Sequence, residues 1–539
     1  MSFVANDLRN EQMSMFDSTL NLTERERRFL EKSWAKVFAE KVFPAIDETP
    51  YAVLYSEKLS RPNTPVNVLV GAIFIQQLTG QSDDEFLESL LFDIRYQYAL
   101  HTTSFDEQPL SDRSLGRFRE RLAMYEIETG IDLIQNTEKE ITDVMALVMG
   151  IDHHLKRMDS MMISANVKKM SRLELLYTCV SNLVKEMKRS NAEVPSEYLH
   201  YADVDDRNKV VYHNRSESVD SKIVTILEDA KILMNLCDED IEDSSAYKLL
   251  VRFLNEQTNI YPNGIRQLKD ADDSSMDSSI LQNPADPEAT FRHKAGKNHI
   301  GYAANLVESS NENGDTLVTD FQFEANNYSD KKFINDAMER MNSQPEDESD
   351  ESTVIVADGA YTADEALAKS KNIEIVNTNL TGKETPDINA DFEFSEDGTQ
   401  LLKCPGGHEP ISCSYNKKTG QCVASFDKEK CENCPHFNEC KPNLRVKVCK
   451  KTVSLKSKNR AQQQRKRSTK EFSDLTKFRN GVESLPSILR RKYHVDKIPA
   501  RGMIRKKLFF GAKVTAMNIQ KFCKFMQGSA CRAQNAVIA

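Results

Sequence analysis

A chain of 539 residues, 39% of them hydrophobic, exceeds one hydrophobic core and is expected to form roughly three domains. Its net charge of -10 argues against indiscriminate binding to nucleic acid. There is no run of about 20 apolar residues and no charged leader followed by an apolar stretch, so neither membrane insertion nor secretion is expected, and a reducing cytoplasm is the expected compartment.

Residues 1–140 read as helical. A proline at the first turn opens a segment from Pro65 to Leu78 with apolar Val66, Leu69, Val70, Ile73 and Leu78. Ser82 is placed to cap the next helix through Leu91, and Ser111 a third. That third segment sets four arginines, including Arg113, Arg117 and Arg121, beside Leu115, Phe118 and Leu122. A helix lying on DNA and an ordinary solvated helix face both fit this pattern.

A strand is expected around Asp159, in Arg157-Met-Asp-Ser-Met-Met-Ile-Ser164, presenting a carboxylate at a sheet surface. After it, Leu173, Leu176, Val180, Leu183 and Met187 recur at steps of three and four, predicting an amphipathic helix, and helices also suit Ile223 to Asn235 and Ser245 to Leu254. The acidic, serine-rich stretches Asp270 to Ser279 and Gln344 to Ser352 lack apolar content and are expected as loops. Val354-Ile-Val-Ala357 is the apolar run of a buried strand, and Asp358-Gly359 follows as its turn, where a ligand site belongs. Asp152, Asp364 and Glu365 are alternative carboxylates at these two places.

Seven of the eleven cysteines fall between Cys404 and Cys449. Cys431-Glu-Asn-Cys434 followed by Cys440, with Cys404 as a fourth thiolate, has the character of a structural zinc site. His408, Cys413, Cys422 and His436 compete for places in it; the alternatives are free structural thiols or a disulfide pair, which a reducing cytoplasm disfavours. From Arg445 to Lys507 there are 21 Lys and Arg against four Asp and Glu. Lys450 to Lys470, containing Lys466 and Arg467, is expected as a basic linker or a phosphate-binding flank. Beyond it, Arg479 and Glu483 stand four apart and are expected on one helix face.

Met158-Asp-Ser-Met-Met-Ile-Ser-Ala-Asn166, Asp286-Pro-Glu-Ala-Thr290, Gly301-Tyr302, Ala357-Asp-Gly-Ala-Tyr361 and Arg479-Asn-Gly-Val-Glu483 resemble, in order, the blocks of the DDE-type insertion-sequence transposases of bacteria and archaea. That family's Tyr, Arg, Glu, Lys signature is kept at Arg479 and Glu483, whereas Thr476 stands in the place of Tyr and Arg490 in that of Lys. The resemblance implies an α/β fold, a ribonuclease-H-like mixed sheet with flanking helices, joined to an N-terminal all-helical domain and a small cysteine-rich insertion. Its strands would run about Leu155 to Ile163, Ala289 to Lys294, His299 to Glu308, Thr316 to Phe323, Thr353 to Asp358 and Ile373 to Asn377. The implied domains are 1–140, which would bind element ends; 150–380, the catalytic core with a helical insertion at about 165–280; 381–470, the cysteine-rich insertion and basic linker; and 471–539, the part of the core carrying Glu483.

The implied activity is cleavage at terminal inverted repeats and joining of 3′ ends to target DNA. Asp159, Asp358 and Glu483 would hold two Mg²⁺ or Mn²⁺ ions, with Arg479 and Arg490 on phosphates or orienting Glu483. The implied partners are DNA and a second copy of the chain, at the nucleoid, with no membrane. A transposase-derived DNA-binding regulator without catalysis is the alternative.

Overall fold

Capping and periodicity account for the N-terminal helices of this computed structural model, which describes residues 1–6, 17–58, 61–105, 108–212, 219–261, 266–270, 272–294, 296–341, 352–361, 363–378, 384–467 and 469–538. The chain divides into two compact units, Met1–Thr353 with Glu483–Ala539, and Val354–Val482. In the larger unit α1 (Val66–Thr79) is buried from Val66 to Leu78, as befits a helix apolar on all sides. Pro65 sits at its N-cap, one residue ahead of the expected first turn. Ser82 caps α2 (Asp83–Phe92) in a reciprocal box with Glu85. Ser111 does not cap α3 (Ser114–Thr129): the N-cap is Arg113, and the Ser111 hydroxyl meets Ser114 Oγ at 2.9 Å instead. Asp132 caps α4 (Leu133–Met149).

Next comes β1 (Leu155–Ser164). After it, α5 (Arg172–Arg189), α6 (Val219–Asn235) and α7 (Ser245–Gln257) pack around a core of their own, which contains all five apolar positions of the expected amphipathic helix. The sheet resumes with β2 (Thr290–Lys294), β3 (Lys297–Ser310) and β4 (Thr316–Ala325). One edge of β3 pairs antiparallel with β1, so that Asp159 stands opposite Leu306. Its other edge passes from β2 to β4 at Gly301 and Tyr302. Gly301 has φ 151°, and a Cβ there would lie 2.1 Å from the Ile163 carbonyl oxygen, so this crossover requires glycine. Helix α8 (Asp330–Met341) follows and ties to β1 where Ser160 Oγ donates to Asp330 Oδ1 at 2.8 Å. The stretch 344–351 of the second expected acidic loop lies outside the described residues.

The smaller unit begins at the second residue of β5 (Thr353–Ala357) and continues to β6 (Ile373–Asn377), the two joined where Thr378 N donates to Ala357 O at 2.9 Å. A four-stranded antiparallel sheet follows, in the order β7 (Ser412–Asn416), β8 (Gln421–Asp427), β10 (Val448–Val453) and β9 (Asn443–Leu444). Phe392, Leu401, Cys422, Ala424, Phe426 and Val453 form its core. The expected basic linker is ordered structure. After β10, Ser454 caps α9 (Leu455–Lys466), whose Arg465 forks onto Asp387 and Asp391 at 2.5–2.9 Å. Helix α10 (Lys470–Asn480) then ends in a short 3₁₀ turn, Gly481–Glu483.

The last segment returns to the larger unit as α11 (Ser484–Arg491) and α12 (Met503–Ile538). Helix α12 packs on α1, α3, α4 and β4. Its Lys521 donates to Glu308 Oε1 and Arg157 Nε to Glu308 Oε2, each at 2.7 Å, on a carboxylate 1% exposed. Burial would raise the Glu308 pKa, but Lys521 and Arg157 hold it below the ordinary value. The start of α12 is capped from far away in sequence: Gly502 N donates to Asp286 Oδ1 at 3.2 Å and Met503 N to Glu288 Oε2 at 2.6 Å. This is the structural role of the Asp286-Pro-Glu288 block.

Candidate active site and cysteine cluster

Asp358 stands directly after β5 in a tight turn. Its Oδ1 accepts from Ala360 N at 2.5 Å and its carbonyl from Tyr361 N at 3.1 Å. Asn377, at the end of β6, braces the same turn by donating to the carbonyls of Asp358 and Tyr361 at 3.4 and 3.0 Å. The Asp358 side chain is 39% exposed, and Arg479 Nη2, on a side chain only 7% exposed, lies 3.9 Å from its Oδ2. The guanidinium and the carboxylate thus form a long ion pair at the strand end. Asp364 is used differently: it caps the short helix Glu365–Ser370 through the amides of Ala366 and Leu367. The side chain of Glu365 lies outside the described residues.

Arg479 and Glu483 do not share a helix face. The helix carrying Arg479 ends at Asn480, and Glu483 occupies the N-cap position of α11. Pro486 explains the break, because in a continuous helix its ring would collide with the carbonyl of Val482, whereas in the first turn of α11 it fits. Glu483 is exposed. Two turns on, Arg490 donates Nε to Asp496 Oδ2 at 3.1 Å and Nη2 to the Met162 carbonyl at 2.8 Å. Asp496 Oδ1 accepts from Ser164 N at 3.1 Å, and the buried Lys506 reaches the Ser164 carbonyl at 2.8 Å. Arg490, Asp496 and Lys506 therefore grip the end of β1.

Asp159 lies five residues upstream of Ser164, in mid-strand and half-buried, with Oδ1 accepting from Ser160 N at 3.0 Å. From the Arg490 contact, three strand residues lead back to Asp159 and seven helical residues to Glu483. At about 3.3 Å and 1.5 Å per residue both spans are about 10 Å. Asp159 and Glu483 belong to the larger unit, Asp358 and Arg479 to the smaller. Asp152 is exposed and its carboxylate accepts from His154 N at 2.7 Å, a local turn contact. Sequence reasoning missed Asp496, Lys506 and Asn377, which carry no local pattern and acquire their roles only through distant partners.

Cys404, Cys431, Cys434 and Cys440 line one cavity of about 20 Å³ with His408 and His436. That is room for a single small occupant. The Cys404-Pro-Gly-Gly turn closes by Gly407 N donating to the Cys404 carbonyl at 2.8 Å, and Gly406 is required because a Cβ would lie 2.8 Å from Cys434 Sγ. All seven cysteines from Cys404 to Cys449 are free thiols. Burial, then Cys449, Cys404 and Cys440 nearby, push the Cys431 thiol up to about 12. Among the described residues, no three His, Cys, Asp or Glu side chains are grouped so as to hold a metal ion as they stand.

Arg113, at the N-cap of α3, and Arg117, on the helix, are exposed. Arg117 and Arg121 line a cleft of about 410 Å³ with Arg61, and Arg121 stacks 5.2 Å over the Tyr55 ring. Arg119 turns inward, paired with Asp83 and 5.0 Å over the Phe509 ring. On α9, Lys466 lies 3.6 Å from Glu374, and the adjoining Arg467 donates to the Thr378 carbonyl at 3.0 Å.

Two stretches match known protein families. Residues 27–121 match a transposase domain, and residues 403–523 match a transposase DDE domain that spans the cysteine cluster, Arg479, Glu483 and Arg490. These matches indicate a DDE-type insertion-sequence transposase. No curated protein and no solved structure matches it. A transposase DDE domain implies DNA binding, and such domains generally use divalent metals. No helix among the described residues is long and apolar enough to cross a membrane.

Proposed function

We propose that this transposase binds the terminal inverted repeats of its element, hydrolyses phosphodiesters at the ends and joins the freed 3′ ends to target DNA. The observation that carries the reading is the pairing of Arg479, inside the matched DDE domain, with the strand-end carboxylate Asp358. In this reading the strands form a ribonuclease-H-like core, and Asp159, Asp358 and Glu483 act together. Their donor set is all oxygen and carboxylate, which suits hard divalent cations. Bound there, two Mg²⁺ or Mn²⁺ ions would supply Lewis acidity at the attacking and leaving oxygens of an in-line displacement. Arg479 lies beside Asp358 and aims its carboxylate. Arg490 is a positioning residue, bracing the Glu483 helix against the Asp159 strand rather than holding a phosphate.

The N-terminal helical region, through Arg113, Arg117 and Arg121, contacts the ends, and Lys466 and Arg467 add phosphate contacts. Cys404, Cys431, Cys434 and Cys440 hold a structural zinc: the single-occupant cavity and the soft thiol donors fit it, and four thiolates leave no open position for chemistry. Two copies bring two ends together at the nucleoid.

The test is incubation of purified protein with labelled DNA carrying the element's ends, with and without Mg²⁺ or Mn²⁺. Metal-dependent cuts at the repeat boundary, absent in Glu483→Ala and Asp358→Ala, are expected. Specific binding without cuts would overturn the enzymatic reading in favour of a regulator derived from a transposase.

A further inference from the structure

From Lys441 to Lys470 the chain carries 12 Lys and Arg and no Asp or Glu. The smaller unit spends several of these internally: Arg465 on Asp387 and Asp391, Lys451 on the Cys440 carbonyl, Arg467 on the Thr378 carbonyl. The hairpin of β9 and β10 is different. It is closed by Arg445 N donating to the Val448 carbonyl at 2.9 Å, and its tip is Arg445-Val446-Lys447. All three tip residues are exposed, and Val446, at 91%, is the most exposed large hydrophobic side chain among the described residues. Lys450, opposite Asn443 in register, adds an exposed cation on the open face of the sheet. Asp427, the acid opposite Val448, is occupied in capping the short helix Lys428–Glu432.

An apolar side chain held out at the end of a two-stranded ribbon costs solvation unless something covers it. With cations on both sides and no acid within the tip, the cover that fits is a polyanion with an apolar interior, which describes a base step between two phosphate strands. We propose that this hairpin is a DNA wedge: Arg445 and Lys447 hold the two backbones of a minor groove while Val446 enters and partly unstacks one base step, bending the duplex. It rests on the transposase reading only in taking DNA as the partner. A wedge of this kind would let the protein recognise deformable steps near its cut without reading base edges.

The experiment uses the full chain and a duplex carrying the element's end and flank, with 2-aminopurine placed at successive positions. Wild type should raise 2-aminopurine fluorescence at one step. Val446→Ala should abolish that rise while leaving the salt dependence of binding unchanged. Arg445→Ala with Lys447→Ala should lower the slope of log affinity against log salt by about 2, at roughly 0.9 per phosphate contact. All three positions are exposed, so unchanged circular dichroism is expected. Unaltered fluorescence and salt slope in these variants would overturn the wedge. So would a change in self-association alone, which would make the hairpin a contact between copies. The readout is binding, so a wild type that binds but does not cut would refute the catalytic reading and leave this inference standing.

Discussion

Removing the Arg490 guanidinium separates two readings of this residue, phosphate contact and internal brace. Its ion pair with Asp496 joins side chains 42% and 35% exposed, so solvent leaves that pair worth less than about 1 kcal/mol. The hydrogen bond to the Met162 carbonyl adds about 1–1.5 kcal/mol. Arg490→Met should therefore cost about 2 kcal/mol and lower the melting temperature by about 2–3 °C in a unit of this size. Cleavage should suffer far more. The Glu483 helix would no longer be pinned to the Asp159 strand, and a displacement of about 1 Å at a reacting centre costs on the order of 100-fold. The assay is single-turnover cleavage of end DNA alongside equilibrium binding across a salt series. The expected result is a loss of about 100-fold in rate with unchanged affinity and salt slope. A salt slope lower by about 1 with near-normal cleavage of bound DNA would refute the brace and restore the phosphate contact.

Glu308→Gln, which leaves Arg157 and Lys521 without their shared carboxylate, should destabilise the larger unit by about 3–5 kcal/mol in denaturant melts. Because the Glu308 pKa is lowered in the fold, by Lys521 and Arg157 against the opposing effect of burial, its contribution is present above the unfolded value near 4.5 and is lost as pH falls through the folded one; Glu308→Gln should flatten that acid limb. Glu138 behaves oppositely. It is 3% exposed, and burial, with Asp132 nearby, raises its pKa well above 4.5, so its stabilising protonated form is lost as pH rises through the folded value. Glu138→Gln should leave stability unchanged near pH 4 and raise it at pH 8 by on the order of 2 kcal/mol, measured by thermal melts. Metal analysis should find about one zinc per chain, lost in Cys434→Ser together with protease resistance of residues 404–453; a metal-free wild type would leave the cluster as free, half-buried thiols.

All six strands that the resemblance implied appear, β6 with its expected bounds and β1 within one residue of them; β5 was legible from its apolar run alone, whereas β2, Thr-Phe-Arg-His-Lys, carries no such run. The helices of the 165–280 insertion were legible from their apolar periodicity. Helix α9 was not, since among its residues only Ala461 is buried and its anchor is the Arg465 fork onto a segment more than 70 residues away. The carboxylates Asp159, Asp358 and Glu483 could be chosen from local setting, but the helix break before Glu483 depended on one proline four residues past Val482. What holds the Glu483 helix could not be read at all. Asp496 and Lys506 meet β1 across more than 330 residues, and no local pattern encodes a partner at that distance.

The far-reaching cap of α12 has a consequence for how the polypeptide matures. Asp286 and Glu288 wait for amides more than 210 residues downstream, and Ser164 for a lysine 342 residues downstream. Such closures are slow, because the loop entropy is lost before the contact forms. During synthesis the stretch 354–482 leaves the ribosome before α12 exists and can fold first as a unit. The strand bearing Asp159 gains the last of its three holds, Lys506, only when the final helix arrives, so a chain stopped short of residue 503 would make a folded smaller unit and a larger unit whose β1 keeps Arg490 and Asp496 but lacks its buried anchor.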